Sequence, residues 1–171
     1  METWDAITSR RNVRSYTEES IPDADLDRIL EAGRRTPSAM NRQPWDFVVS
    51  TDRNDLTGLA RCWQGAGHVA ASAATIAVVT PVTESARDAE LNSYDLGQAS
   101  ITMMIAAADL GIGSAHAVVE DQELARQILG FPDDHRAAFF IALGYPADRP
   151  LAPIKNLTRR PFGDVVHRGR W

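Results

Sequence analysis

Apolar residues recur along this chain in three rhythms, and each predicts a different kind of element. In "IPDADLDRILEAGRRT", Leu26, Ile29 and Leu30 fall at helical spacing behind Pro22 and the first-turn acids Asp23, Asp25 and Asp27, with Arg34 and Arg35 at the close. The spacing predicts a helix, and the acids and arginines suit the two ends of its dipole. "DQELARQILG" repeats the pattern with Asp121 as N-cap and Gly130 as stop. Shorter helices are expected over "TWDAITS", where Trp4 and Ile7 share a face, and over "NDLTGLARC". A second rhythm marks strands: "WDFVVS" alternates before a β-branched pair, while "TIAVVT" and "AAFFIALGYP" are apolar runs of strand length, the last ended by Gly144 and Pro146.

The third rhythm has no polar face. From Asp88 to Leu110 there is no proline, and Leu91, Tyr94, Ala99, Ile101, Met103, Met104, Ile105 and Ala106 to Ala108 surround the turns. Such a helix is buried on most sides, and one chain of this size offers few layers to cover it, so part of it is expected against a second subunit. "GIGSAH" stops it. "PSAMNRQP" begins and ends with proline and reads as a loop feeding the "WDFVVS" strand, and beyond Pro150 and Pro153 the tail has little periodicity. With no repeat and no linker, residues 1–171 are read as one domain.

Composition narrows the classes. The chain has 171 residues, 44% of them hydrophobic, a net charge of −5 and a pI near 5.3, which disfavours broad nucleic-acid binding. Runs such as "TIAVVTPV" and "ITMMIAAADLGIG" fall short of the ~20 residues of a bilayer crossing, the first residues lack a signal pattern, and a cytoplasmic location is expected. Cys62 has no disulfide partner, and Cys62, His68, His116, His135 and His167 show no paired ligand spacing, so no metal is expected.

The positive charge therefore has to be read locally. "SRRNVRSY" sets Arg10, Arg11 and Arg14 into five positions. Guanidinium forks match phosphate oxygens, so the cluster suits a phosphate dianion; a solvated basic helix end is the plainer alternative. In "PSAMNRQPW" the backbone amides with Ser38, Asn41 and Gln43 suit the carbonyls and ring nitrogens of a polar heterocycle. His116 titrates near neutrality and is either catalytic or a packed, hydrogen-bonded ring. Trp45 and Trp63 could line an aromatic pocket, although Trp45, at a strand start, reads as core; Cys62 reads as a small buried hydrophobe on a helix.

Taken together, "SRRNVRSY", "PSAMNRQPW", "LGIGSAHAVV" with "LGFPDD", "IALGYP" and "RRPFGDVVHRGRW", in that order, resemble the nitroreductase family over nearly the whole chain. The resemblance implies an α+β, three-layer fold with a central, mostly antiparallel sheet flanked by helices, and an intertwined homodimer with FMN at the interface. It implies that Arg10, Arg11, Asn12 and Arg14 hold the FMN phosphate, with Asn12's place reaching the flavin's polar edge. Arg159, with Arg160 beside it, would close on the same phosphate. Pro37, Ser38, Ala39 and Asn41 match the loop that covers the isoalloxazine from the other subunit, and Ala117, Val118 and Val119 match the backbone near the reactive N5 edge. Asn12 replaces a common serine or threonine, Ala39 a common serine, and Val118-Val119 a frequent glycine pair. Gln64 and His68 are candidates for the pyrimidine end.

The activity implied is hydride transfer from NADH or NADPH onto flavin N5, followed by reduction of nitroaromatic, quinone or related acceptors in the same pocket by a ping-pong mechanism. No general acid is named, since water can supply the proton. "GIGSAH" places His116 where a GxGxxG motif needs its third glycine, so no dinucleotide domain is expected. Alternatives are another reaction on the same flavin (dehydrogenation, dehalogenation, flavin breakdown), a flavin-binding module without turnover, and a deazaflavin, which also carries a phosphate.

Overall fold

The computed structural model describes residues 1–156 and 158–171. Its elements run α1 (Thr3–Ser9), α2 (Asp23–Arg34), β1 (Asp46–Ser50), α3 (Arg53–Leu59), β2 (Ala74–Pro81), α4 (Ala86–Asp109), β3 (Gly113–Val118), α5 (Gln122–Leu129) and β4 (His135–Gly144), with 3-10 turns at Ala39–Asn41, Gly67–Val69 and Phe162–Asp164. The four strands form one antiparallel sheet in the order β1-β2-β4-β3. None of these helices is long and apolar enough to cross a membrane.

The apolar runs in β2 and β4 follow from burial on both faces of the sheet. Ile76 and Val78 of β2 and Ile141 and Leu143 of β4 pack with Leu26 and Ile29 of α2 and Leu96, Ala99 and Met103 of α4. Their alternates Ala77, Val79, Phe140 and Ala142 pack with Leu56 and Leu59 of α3 and Ala125 of α5. The result is three layers, helices on each face of the antiparallel sheet, as expected for the fold class. Caps follow the sequence: the Asp121 carboxylate accepts the Leu124 amide at 2.9 Å, and Gly130 ends α5 at φ 72°.

Three expectations need correction. β3 was not foreseen: "GIGSAH" turns the chain at Gly111, φ 77°, and then continues as a strand. Its small residues carry a period-two pattern too weak to stand out. α1 turns Ala6 and Ser9 inward, leaving Trp4 72% and Ile7 44% exposed, so the face that Trp4 and Ile7 share is not the one packed on this chain. α3 ends at Leu59, so Cys62 is buried in the turn after it, where its carbonyl accepts the amides of Glu120 and Asp121, each at 3.0 Å.

After α1 the chain runs beside β3. Asn12 bridges Ser114, the Val13 amide donates to the Ser114 carbonyl at 3.0 Å, and Tyr16 bridges Pro146. Val13 and Tyr16 lie directly over Gly113 and Gly144, which are paired across β3 and β4. A Cβ on either glycine would fall 2.7 Å from the side chain above it. The arginine segment is thus seated on a notch that only glycines leave open.

Candidate functional site

The segment's alternation divides its arginines. Arg10, Asn12 and Arg14 stand on one side of the extended chain, with Val13 buried between them, and Arg11 points elsewhere. Arg11 donates to the Asp148 carboxylate at 2.6 Å and to the Arg149 carbonyl at 2.9 Å, a structural tie to the start of the tail. Arg10 donates to the Asn12 side-chain oxygen at 3.2 Å and rests against the Met104 sulfur. Its pKa is lowered, first by burial and then by the positive charge of Arg159. The tail is pinned where the Ile154 amide donates to the Thr8 carbonyl at 3.1 Å, and farther along it Arg159 lies near enough for its charge to be felt at Arg10. Arg160 turns away and donates to the Asp164 carbonyl at 2.7 Å, bracing the last 3-10 turn.

Arg14 has different company. Tyr16 near it is half-buried, its phenol pKa raised by that desolvation, and its hydroxyl donates to the Val13 carbonyl at 2.6 Å, fastening the segment to itself. His68, 9% exposed, lies close enough to Arg14 to feel its charge. Burial first, then Arg14, lowers the His68 pKa, with the backbone at Gly65 and Ala115 partly offsetting this. Its Nε2 has no hydrogen-bond partner among the described residues. A buried imidazole nitrogen left without a partner beside a cation is a polar atom the fold does not satisfy by itself. Gln64 is exposed in the same turn.

Among the described residues, no carboxylate stands at ion-pairing distance from Arg10 or Arg14, whereas their neighbour Arg11 is paired; Arg159 and other arginines away from the segment, such as Arg53, Arg61 and Arg136, are also without an acid. Like charges gathered without acids are unfavourable unless an anion joins them.

Ala117 and Val119 are buried in the second core, while Val118 is 49% exposed. The Val119 carbonyl accepts the Gln122 side-chain Nε2 at 2.9 Å. His116 faces the α4 side, its Nε2 3.1 Å from the Ser100 hydroxyl and its ring edge-on to Phe139. The residue is exposed overall, yet desolvation of its ring and then Arg10 lower its pKa, which favours the neutral ring. Trp45 is core, stacked on Phe47.

The 37–43 loop is held from outside. Pro37 and Asn41 are exposed, and Met40, Asn41 and Gln43 take left-handed φ of 53°, 54° and 51°. Asparagine tolerates that region; for Met40 and Gln43 the conformation costs on the order of 1 kcal/mol or more each and persists only where surroundings enforce it. Ser38 Oγ accepts the Gln43 amide at 2.8 Å, Asp95 of α4 accepts the Ala39 amide at 3.0 Å, and Arg42 pairs with Asp88 of α4 at 2.8 Å. Sequence reasoning missed Asp88, Asp95 and Asp148. The available signal was Asp95, an acid set between Leu91 and Leu96 at the head of the apolar turns of α4.

A concavity of about 910 Å³ lies between residues 16–23 and Thr51, Arg53, Ala71 and Ala73, and none of Arg10, Arg11 and Arg14 lines it. The described residues contain no group of His, Cys, Asp or Glu arranged for a metal.

Residues 7–145 match the model of the Nitroreductase family. The chain belongs to the nitroreductase family. A protein of Archaeoglobus fulgidus with the provisional name NADH dehydrogenase/NAD(P)H nitroreductase is 31% identical over 169 residues, 96% of each chain. The FMN reductase [NAD(P)H] of Bacillus subtilis is 26% identical over 164 residues, 84% of this chain and 66% of that one. The nitroreductase fold is shared with a solved FMN-dependent nitroreductase from Clostridium difficile at TM-score 0.83 and 21% identity, covering 97% of this chain and 98% of that one.

Proposed function

We propose that this chain is an FMN-dependent oxidoreductase that works as a homodimer, takes hydride from NADH or NADPH, and reduces nitroaromatic, quinone or related acceptors by a ping-pong mechanism. The observation that carries the reading is the pair of guanidiniums of Arg10 and Arg14 on one side of the segment with no acid in ion-pairing range, and with the charge of Arg159 felt at Arg10, an arrangement that a phosphate dianion would reconcile. The name of the Bacillus subtilis relative, an FMN reductase using NAD(P)H, supports the choice of cofactor and donor.

The residues fit the group. Arg10 and Arg159 would hold the phosphate, with Asn12 orienting Arg10. Arg14, exposed and set apart beside buried His68, would offer its charge to polar ring atoms. Bound FMN supplies hydride acceptance at N5 and delivery of electrons to the second substrate. The backbone at Ala117, Val118 and Val119 would lie near the reactive edge, and the loop with Pro37, Ser38, Ala39 and Asn41 would cover the ring from the partner and exclude water. His116 is engaged with Ser100 and neutral, so it is assigned no proton transfer.

The dimer is supported by what the single chain leaves open: Trp4 (72% exposed), Tyr94 (68%) and Ile101 (41%) on α1 and α4, and Phe162 (71%) and Trp171 (101%) on the tail. The test is to extract the chromophore from purified protein, record its absorption and mass, and assay NADPH oxidation with a quinone. FMN near one per subunit and turnover are expected. Protein without FMN, or FMN-loaded protein that oxidises neither NADH nor NADPH, would overturn the reading.

A further inference from the structure

We propose that Asp95, a buried carboxylate on α4, is a positioning residue: by accepting the Ala39 amide hydrogen it holds the 38–43 loop in the posture that meets the flavin. This rests on the reading that the loop covers the ring. Asp95 is 1% exposed and stands among Leu96, Ala99 and Ser100, where an apolar side chain would be expected. No cation pairs with it among the described residues, so its burial is costly unless hydrogen bonds compensate it. Two do: the Ala39 amide at 3.0 Å on one oxygen and the Gln98 side-chain amide at 3.3 Å on the other.

The loop needs that acceptor. Ser38 occupies the N-cap position of the Ala39–Asn41 turn yet makes no cap, because its hydroxyl oxygen takes the Gln43 amide instead. The Ala39 amide would be orphaned without Asp95. Asp88, seven residues earlier and so two turns away along the same side of α4, grips Arg42. The two carboxylates bracket Met40 and Asn41, which with Gln43 take left-handed backbone, a conformation Met40 and Gln43 do not keep unaided. Loop posture is thereby set by α4, the helix that also exposes Tyr94 and Ile101.

The test compares Asp95→Ala, Asp95→Asn and Ser38→Ala with wild type. FMN binding to apoprotein is read by flavin fluorescence, the acceptor KM and kcat with a quinone, and amide exchange at Ala39 and Gln43 without flavin. In Asp95→Ala, exchange at both amides should rise, the FMN Kd should rise about tenfold, the factor one hydrogen bond to a charged group carries, and KM should rise more than kcat falls. Asp95→Asn keeps an acceptor oxygen and should recover most of this. Unchanged exchange, or raised exchange with unchanged Kd and KM, overturns the proposal. If Asp95→Ala does not fold, Ser38→Ala releases the loop from its other end and must raise Gln43 exchange and FMN Kd together; failure to do so also overturns it. Wild-type protein that takes up no FMN sinks the flavin reading, and the proposal with it; wild-type binding with indifferent variants sinks the positioning role alone.

Discussion

Replacing Gly113 by alanine tests whether the arginine segment is placed by close packing rather than by its own charges. An added Cβ at Gly113 would lie 2.7 Å from the Val13 Cβ and from one of its methyls, so Val13 must retreat about 0.7 Å to reach the 3.4 Å of ordinary contact. Val13 is 1% exposed and has little room to move except outward, away from β3. That movement stretches the 3.0 Å bond from the Val13 amide to Ser114 and carries Arg10, Asn12 and Arg14 with it. Overpacking costs roughly 1–3 kcal/mol and a lost hydrogen bond about 1 kcal/mol, so about 2–4 kcal/mol is expected. At about 2–4 °C per kcal/mol for a chain of this size, the apoprotein Tm should fall by about 4–16 °C. FMN affinity should fall about tenfold as the guanidiniums shift. Thermal unfolding and FMN titration measure both, with Gly67→Ala as control, since nothing lies within 4 Å of a Cβ there. A Gly113→Ala protein with wild-type Tm and FMN affinity would refute the argument that the glycine notch sets the site.

Three further outcomes are expected. Arg159→Ala should weaken FMN binding by about 10- to 100-fold, the range for losing one or two charge-assisted hydrogen bonds, without lowering apoprotein stability, because it relieves repulsion at Arg10. Arg11→Ala, tied to Asp148, should leave affinity within about threefold if its role is structural; equal losses in the two variants would contradict the division of the arginines. His68 has a folded pKa below its unfolded value near 6.5, so above that pH it contributes nothing to the pH dependence. As pH falls below it, the unfolded chain takes up a proton the folded chain refuses, and stability drops. His116 adds a share of the same sign, so His68→Gln should show a shallower loss of Tm between pH 7.5 and 5.5 than wild type, and an identical slope would count against the buried neutral imidazole. Ile101→Asp should shift the protein from dimer to monomer in sedimentation at micromolar concentration, since it buries an unpaired charge if α4 meets a second copy; an unshifted dimer would remove α4 from the interface.

Most elements were legible because their signals are local. The capping acid and stop glycine of α5, the dipole-matched ends of α2 and the unbroken apolar runs of β2 and β4 each state their own structure. β3 was illegible because small residues in "GSAHAV" satisfy an edge strand as readily as a loop. In the site, "SRRNVRSY" showed that charge was concentrated, but nothing in its spacing showed that Arg11 belongs to Asp148, 137 positions later. The loop's polar character was visible, whereas its grip by Asp88 and Asp95 joins residues 46 and 56 positions apart.

The chain by itself determined the alternation of helices and strands, the family, and the presence of cations and of a proline-bounded loop, because these depend on neighbours within a few turns. Only the tertiary structure decided which arginines remain without acids, which histidine is buried neutral, and which carboxylates hold the loop. Those outcomes depend on distances between segments that meet only when the sheet closes and the tail folds back, and charge responds to distance in space rather than along the chain.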